Sequence, residues 1–272
     1  MGLRVNTNIA AMTSQRNLAA VTQRLQGNFA RLSSGLRIAT AADDAAGLGI
    51  SERMRSQIRS FEVAGRNAQD GVSLAQTAEG ALGEVQNNLT RMRELAMQSA
   101  NGTLTTEDRT TLNTEFQALV DEIDRVAGET SFNGVSLLDG STATIDIQVG
   151  IDSGQTITMN LTDTDATSLG ISALSVTSVI NASAALGTID TALDTVSTAR
   201  GGLGASMNRL SSAIASIANT RENLSAAESR IRDVDVASET SDLTRNSIMQ
   251  QAAVSVLSQA NVQPQLALQL LG

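Results

Sequence analysis

Residues 61–96 read FEVAGRNAQDGVSLAQTAEGALGEVQNNLTRMRELA. Within them Phe61, Ala64, Ala68, Gly71, Ala75, Ala78, Leu82, Val85, Leu89, Met92 and Ala96 recur at steps of three or four. That alternation holds a single seam of side chains on one face of a helix, the spacing of a coiled coil. The small residues of its first half let a partner helix approach closely. A seam this long cannot stay exposed to water, so the stretch demands other helices beside it.

Working outward, the partners can be read. Asn101-Gly102 breaks the pattern, and Thr105 to Asp108 reads as a helix start with a hydroxyl cap and acids in the first turn. Leu112, Phe116, Leu119, Ile123 and Val126 continue a second, shorter helix, close enough in sequence to form an antiparallel hairpin with the first. Period two then takes over: Ile145, Ile147 and Val149, then Ile157, Met159 and Leu161, with Gly150 to Gly154 between them, predict a β-hairpin at about 140–165. The stretch from Asn160 to Ser183 is rich in Thr, Ser and Asp and reads as a loop crossing.

The longest seam follows: Leu186, Ile189, Leu193, Val196, Arg200, Leu203, Met207, Leu210, Ile214, Ile217, Arg221, Leu224, Glu228 and Ile231. A continuous helix over it spans roughly 70 Å at 1.5 Å per residue. Gly201, Gly202 and Gly204 weaken it by about 1 kcal/mol each relative to Ala. At the two ends lie shorter stripes: Leu18, Val21, Leu25, Asn28 and Leu32, and then Ile248, Met249, Ala252, Ala253, Val256, Leu257 and Ala260. Pro264 is expected to kink or end the last helix. The predicted fold class is mainly α: a long antiparallel helical bundle or coiled coil with a small β-hairpin region, its N- and C-termini paired at one end.

Composition narrows the functions. The chain has 272 residues and no Cys, His, Trp, Tyr or Lys; all 19 positive charges are Arg, and the net charge is -9. Without His, catalytic triads built on it are impossible, and the usual zinc and copper ligands are missing. The acidic balance argues against a nucleic-acid surface. No stretch approaches the ~20 apolar residues of a membrane span. Met1 to Asn6 contain no basic region followed by an apolar run, so a cleaved secretory signal is not expected. Neither a Gly-rich phosphate loop nor a nucleophile elbow is present, and no cofactor or metal is expected. Met92 and Met97 read as packing residues. Asp43-Asp44, before Ala45-Ala46-Gly47, reads as a helix cap. Arg200, Arg221 and Glu228 read equally well as buried polar pairs or as solvent-facing edges.

Several blocks resemble bacterial flagellins. They are Val5-Asn6-Thr7-Asn8; Arg31-Leu32-Ser33-Ser34-Gly35-Leu36-Arg37-Ile38 followed by Asp43-Asp44-Ala45-Ala46-Gly47; Arg66-Asn67-Ala68-Gln69-Asp70-Gly71; Arg91-Met92-Arg93-Glu94-Leu95-Ala96; Phe132-Asn133-Gly134; Leu203-Gly204-Ala205; and Ser255 to Asn261. They follow the family's order over roughly 1–140 and 186–272. The resemblance implies a non-enzymatic, secreted, extracellular subunit that forms a helical homopolymer, the flagellar filament, for swimming. It implies an inner filament-core domain of 1–44 plus 233–272, an outer-core domain of 45–232, and no variable outer domains. It also implies type III export and contacts with an export chaperone, the cap and the hook-junction proteins.

The stripes Leu18, Val21, Leu25 and Leu32, and Ile248, Ala252, Val256 and Leu257, are the expected assembly residues. By the same resemblance, Arg91, Leu95 and Glu115 match the site that a host Toll-like receptor reads. Two rival readings are the hook–filament junction protein, which shares the terminal blocks, and a cytoplasmic coiled-coil signalling module, which shares the Ala-rich heptads.

Overall fold

The computed structural model describes residues 7–269, with side chains up to residue 262. Among the described residues are five helices: α1 Ile9–Ser34, α2 Ala45–Ser99, α3 Thr106–Glu129, α4 Val179–Arg232 and α5 Val236–Gln269. Four short strands, β1 Ser131–Phe132, β2 Val135–Ser136, β3 Thr144–Gln148 and β4 Thr156–Asn160, form two separate antiparallel pairs. The chain divides into two compact units, Gln57–Glu222, and Met1–Ser56 with Asn223–Gly272. Helices α2 and α4 contribute residues to both.

Unit Gln57–Glu222 is a helical bundle built on the seam of α2. Ala64, Ala68, Gly71, Ala75, Ala78, Leu82, Val85, Leu89, Met92 and Ala96 are all buried, as their spacing predicts. Helix α4 runs antiparallel to α2: Arg93 donates to Asp190 at 2.6 Å, and Arg200 reaches back to Glu79 and, at 2.5 Å, to Gln86. Arg200 is therefore a half-buried bridge, whereas Arg221 is exposed. Gly71 marks the closest approach. A Cβ there would lie 3.0 Å from Ile147 of β3 and 3.2 Å from Leu210 of α4, so only the smallest side chain fits without displacement.

Helix α3 folds back on α2. Thr105 caps it, accepting from the Asp108 amide while Asp108 accepts from the Thr105 amide at 3.0 Å, a reciprocal capping box. Arg109, although charged, is buried because its guanidinium donates to the carbonyls of Ser99 and Asn101 that the end of α2 leaves free. Phe116 and Ile123 enter the core.

Two features go beyond expectation. First, Ser131 to Ser136 form a small hairpin whose turn, Asn133-Gly134, has φ of 50° and 81°. Asn-Gly is the pair that tolerates such a turn, so this hairpin was readable from the sequence in addition to the one over β3 and β4. Second, the polar crossing after β4 is the expected loop, but a packed one. Leu161, Ala166, Leu169, Ile171 and Val176 are buried in it. Its backbone is tied down by α3: Ala166 N donates to Asp124, Val176 N to Asn113, and Gln117 donates to the Leu174 carbonyl. The next helix starts at Val179, before the seam begins at Leu186, because the Ser178 hydroxyl accepts from Asn181 N and caps it.

As the seam predicts, α4 runs without interruption through Gly201, Gly202 and Gly204, and α5 continues through Pro264 to Gln269. For α4 the reason is packing: Leu203, Ser206 and Leu210 are buried around the glycines, and burial outweighs a propensity cost of about 1 kcal/mol per glycine. Pro264 does not end α5.

Candidate functional site

In the unit formed by the two chain ends, α1 packs antiparallel on α5. Three polar contacts mark the register: Asn8 donates to the Ala260 carbonyl at 2.8 Å, Gln250 to the Thr22 hydroxyl at 3.5 Å, and Asn246 to Asn28 at 2.8 Å. Leu18, Val21, Leu25 and Leu32 share the α1 face that carries Asn28, by the three-four spacing. Val21 is buried on it, and the three leucines are half-buried. Asn8 also caps α1 by accepting from Ala11 N, and Gly35 closes the helix in the left-handed conformation at φ 71°. Val5 and Asn6 of the first sequence block lie outside the described residues.

The C-terminal stripe is rotated from the expected one. Leu257 is half-buried, but Ile248 is 61% exposed, Val256 57% exposed, and Ala252 is exposed too. The covered face of α5 instead carries Glu239, Leu243, Asn246, Gln250, Ala253, Leu257 and Ala260. The sequence listed both faces as apolar, and apolarity alone could not say which one meets α1. The polar residues decide: Asn246 and Glu239 hydrogen-bond to Asn28, and this turns Ile248 and Val256 outward. Asn28 was visible as a seam residue; its two partners carried no apolar signal. Ile9, Met12 and Phe29 of α1, and Val254 and Val262 of α5, are exposed as well.

The connections into this pair are tied to each other. Leu36 bridges Asp233, Val234 N donates to Gly35 O at 3.0 Å, and Arg37 N donates to Arg232 O at 2.7 Å. Arg232 also pairs with Glu52 at 2.8 Å, and its guanidinium holds the Glu52 carboxyl below its ordinary pKa. Asp44 caps α2 by accepting from Gly47 N at 2.9 Å. Asp43 accepts from the Thr40 and Ala39 amides and is likewise held below its ordinary value, chiefly by Thr40. Asp44 is thus the cap that its position implied, whereas Asp43 closes the turn over Ala39 and Thr40 upstream of the helix.

On the other unit, Arg91 and Glu115 meet across α2 and α3 at 2.8 Å, and Arg91 also pairs with Glu94 at 2.9 Å. Glu115, then Glu94, raise the Arg91 pKa. Both partners are about half exposed. Leu95 is not brought to the same surface. At 1% exposure it belongs to the core and offers no face of its own.

The model of the bacterial flagellin N-terminal helical region matches residues 5–143, and that of the flagellin C-terminal helical region matches residues 186–271. The chain is 50% identical over 269 residues to a flagellin of Halalkalibacterium halodurans, covering 98% of this chain and 99% of that protein. The chain belongs to the flagellin family. A flagellin of Bacillus subtilis is 44% identical over 305 residues, covering 99% of this chain and all of the relative. The crystal structure of Bacillus cereus flagellin superposes with a TM-score of 0.52 at 37% identity, over 60% of this chain and 94% of that one.

The chain is accordingly a structural subunit that polymerises into the bacterial flagellar filament and serves swimming motility. Likeness at this identity over the whole length favours the filament subunit over the junction protein and the signalling module. Among the described residues no helix is long and apolar enough to cross a membrane. Nor does any group of three acidic, His or Cys side chains converge there as a metal site would require.

Proposed function

We propose that polymerisation is driven by the outward apolar side chains of the two terminal helices, which neighbouring copies cover. The observation that carries this reading is the uncovered row Ile248 and Val256 on α5, with Met12 and Phe29 on α1. Burying a Val, Ile or Phe contributes about 1.5–3 kcal/mol each, so several together offset the entropy of ordering the chain ends. A patch on one copy that meets a different patch on the next does not close on itself and extends as a helix. Leu18, Val21, Leu25, Leu32 and Leu257 act from within, holding α1 and α5 together so that Ile248, Ala252 and Val256 present one surface.

In this reading 1–44 with 233–272 form the inner filament layer and 45–232 the outer core. Family resemblance supplies the remaining partners: an export chaperone, the cap, the hook-junction proteins, and a host Toll-like receptor. For that receptor, Arg91 and Glu115 offer exposed charge, and Leu95 holds α2 beneath them. A receptor-reporter response unchanged by Arg91→Asp would remove that part of the proposal.

The assembly claim is tested with purified protein and filament seeds under the electron microscope. Deleting 1–44 or 233–272 is expected to abolish elongation. Ile248→Asp with Val256→Asp is expected to abolish it too, while leaving the melting of the lone chain unchanged. Filaments of normal length from either deletion, or from the double variant, would show that assembly is driven elsewhere.

A further inference from the structure

We propose that Asn28, Glu239 and Asn246 form a buried polar lock that selects a single register of α1 against α5. This deepens the reading of the terminal pair as the assembling element, and its test separates the two claims. All three side chains are buried, at 6%, 8% and 8% exposure. Asn28 donates to the Glu239 carboxylate at 2.5 Å, and its own carbonyl accepts from Asn246 at 2.8 Å. Arg31 stands 3.8 Å from the same carboxylate.

The apolar residues of this pair select only weakly. Leu18, Leu25 and Leu32 are spaced by one heptad, and so are Ala253 and Ala260 on the covered face of α5. Sliding one helix past the other by seven residues places Leu where Leu stood and Ala where Ala stood, and alters the apolar contact only where Gln250 changes places with Leu243 or Leu257 and Asn28 with Val21. The polar positions break this degeneracy. A slide in one direction brings Asn246 to the place of Glu239, sets Ala253 opposite the Asn28 carbonyl that Asn246 had satisfied, and takes Glu239 past the end of α1. A slide in the other sets Asn246 beside Val21. Either leaves buried amide groups without partners, which is strongly unfavourable. A single buried Asn in an otherwise apolar seam is the best-attested device for fixing coiled-coil register. The Leu36–Asp233 bridge constrains the near end of the same pair, so the experiment must ask whether the bridge alone suffices.

The chain contains no Cys, so paired substitutions can be the sole thiols in the full chain. Thr22→Cys with Gln250→Cys reports the observed register, since these side chains touch. Thr22→Cys with Leu257→Cys, and with Leu243→Cys, report the two seven-residue slides. A short thiol cross-linker is applied to the monomer and to seeded filaments.

In the parent background the first pair dominates. With Asn28→Leu, Glu239→Leu and Asn246→Leu combined, the ratio of slid to observed product is expected to rise about tenfold, the factor corresponding to one unpaired buried hydrogen-bonding group. Should that variant lose helical content, Asn246→Leu alone makes the same test. Glu239→Gln keeps an acceptor for Asn28 and is expected to leave the ratio as in the parent. An unchanged ratio in the leucine variants, or an equal rise with Glu239→Gln, overturns the lock. Elongation of seeds by the parent cysteine pairs is scored separately, so a failure of terminal-helix assembly is distinguishable from a failure of the register claim.

Discussion

The two units answer the same three-four periodicity differently. In Gln57–Glu222 the seam of α2 is closed on every side: by α3, by α4, by the paired strands and by the packed crossing that carries Ala166, Ile171 and Val176. Its heptad positions from Ala64 to Ala96 are all buried. In the unit of the chain ends, α1 meets α5, and the leucines of its seam are only half-buried. Two helices can cover a strip but not a circumference, so apolar residues are left on the outer faces. The difference teaches where each unit obtains its stability. The first closes its seam within one copy, although Val63, Met97 and Ile180 stay exposed on its surface. The second has unused apolar surface, and its interior is specified by hydrogen bonds as much as by packing.

The comparison can be broken by truncating the two seams in turn. Phe116→Ala in the closed unit is expected to cost about 3–5 kcal/mol, because it empties a fully enclosed site. Leu25→Ala in the terminal pair is expected to cost about 1 kcal/mol, since its side chain is only partly removed from water. Denaturant unfolding followed by circular dichroism measures both, and equal costs would contradict the distinction. An effect of similar size sharpens it. Thr105→Ala removes one half of the capping box at the start of α3 and should cost about 1 kcal/mol. That loss should appear in unfolding of Gln57–Glu222 and leave seeded elongation unchanged.

The smallest effect is that of pH near neutrality. The chain has no His, Cys, Tyr or Lys, so no side chain has an ordinary pKa between those of the carboxylates and that of Arg, and stability should be flat from about pH 5 to about pH 9. Glu52, Asp43 and Asp108 are each held below their ordinary values, by Arg232, Thr40 and Thr105 respectively. A depressed carboxylate pKa contributes stability above its unfolded value, and that contribution disappears as pH falls through the folded value. The melting temperature of both units should therefore fall below about pH 4. Loss setting in between pH 6 and 8 would indicate a titrating group that the sequence does not contain.

Much of the closed unit was legible before its coordinates. The Thr105 cap, the break at Asn101-Gly102, the antiparallel return and the strands at Ile145 and Ile157 each depend on neighbours a few residues away, and local chemistry is written in local sequence. The Asn133-Gly134 hairpin carried an equally local signal. The crossing after Asn160 was legible as a loop but not as a packed one, because its Thr, Ser and Asp residues look solvated while the apolar residues among them face inward. Only the position of α3, with Asp124 and Asn113 waiting for backbone amides, shows why that segment is ordered.

By itself, then, the sequence determined the helical class, the lengths of the seams, the acidic and His-free chemistry, and the order of blocks that marks a flagellin, since each of these is a property of spacing or composition. Which face of α5 meets α1 was settled only by tertiary structure. Ile248, Ala252 and Val256 are as apolar as Ala253 and Leu257, and hydrophobic attraction has no direction. Hydrogen bonds do have one, and the bonds from Asn28 to residues more than two hundred positions away set the rotation that leaves Ile248 and Val256 facing outward.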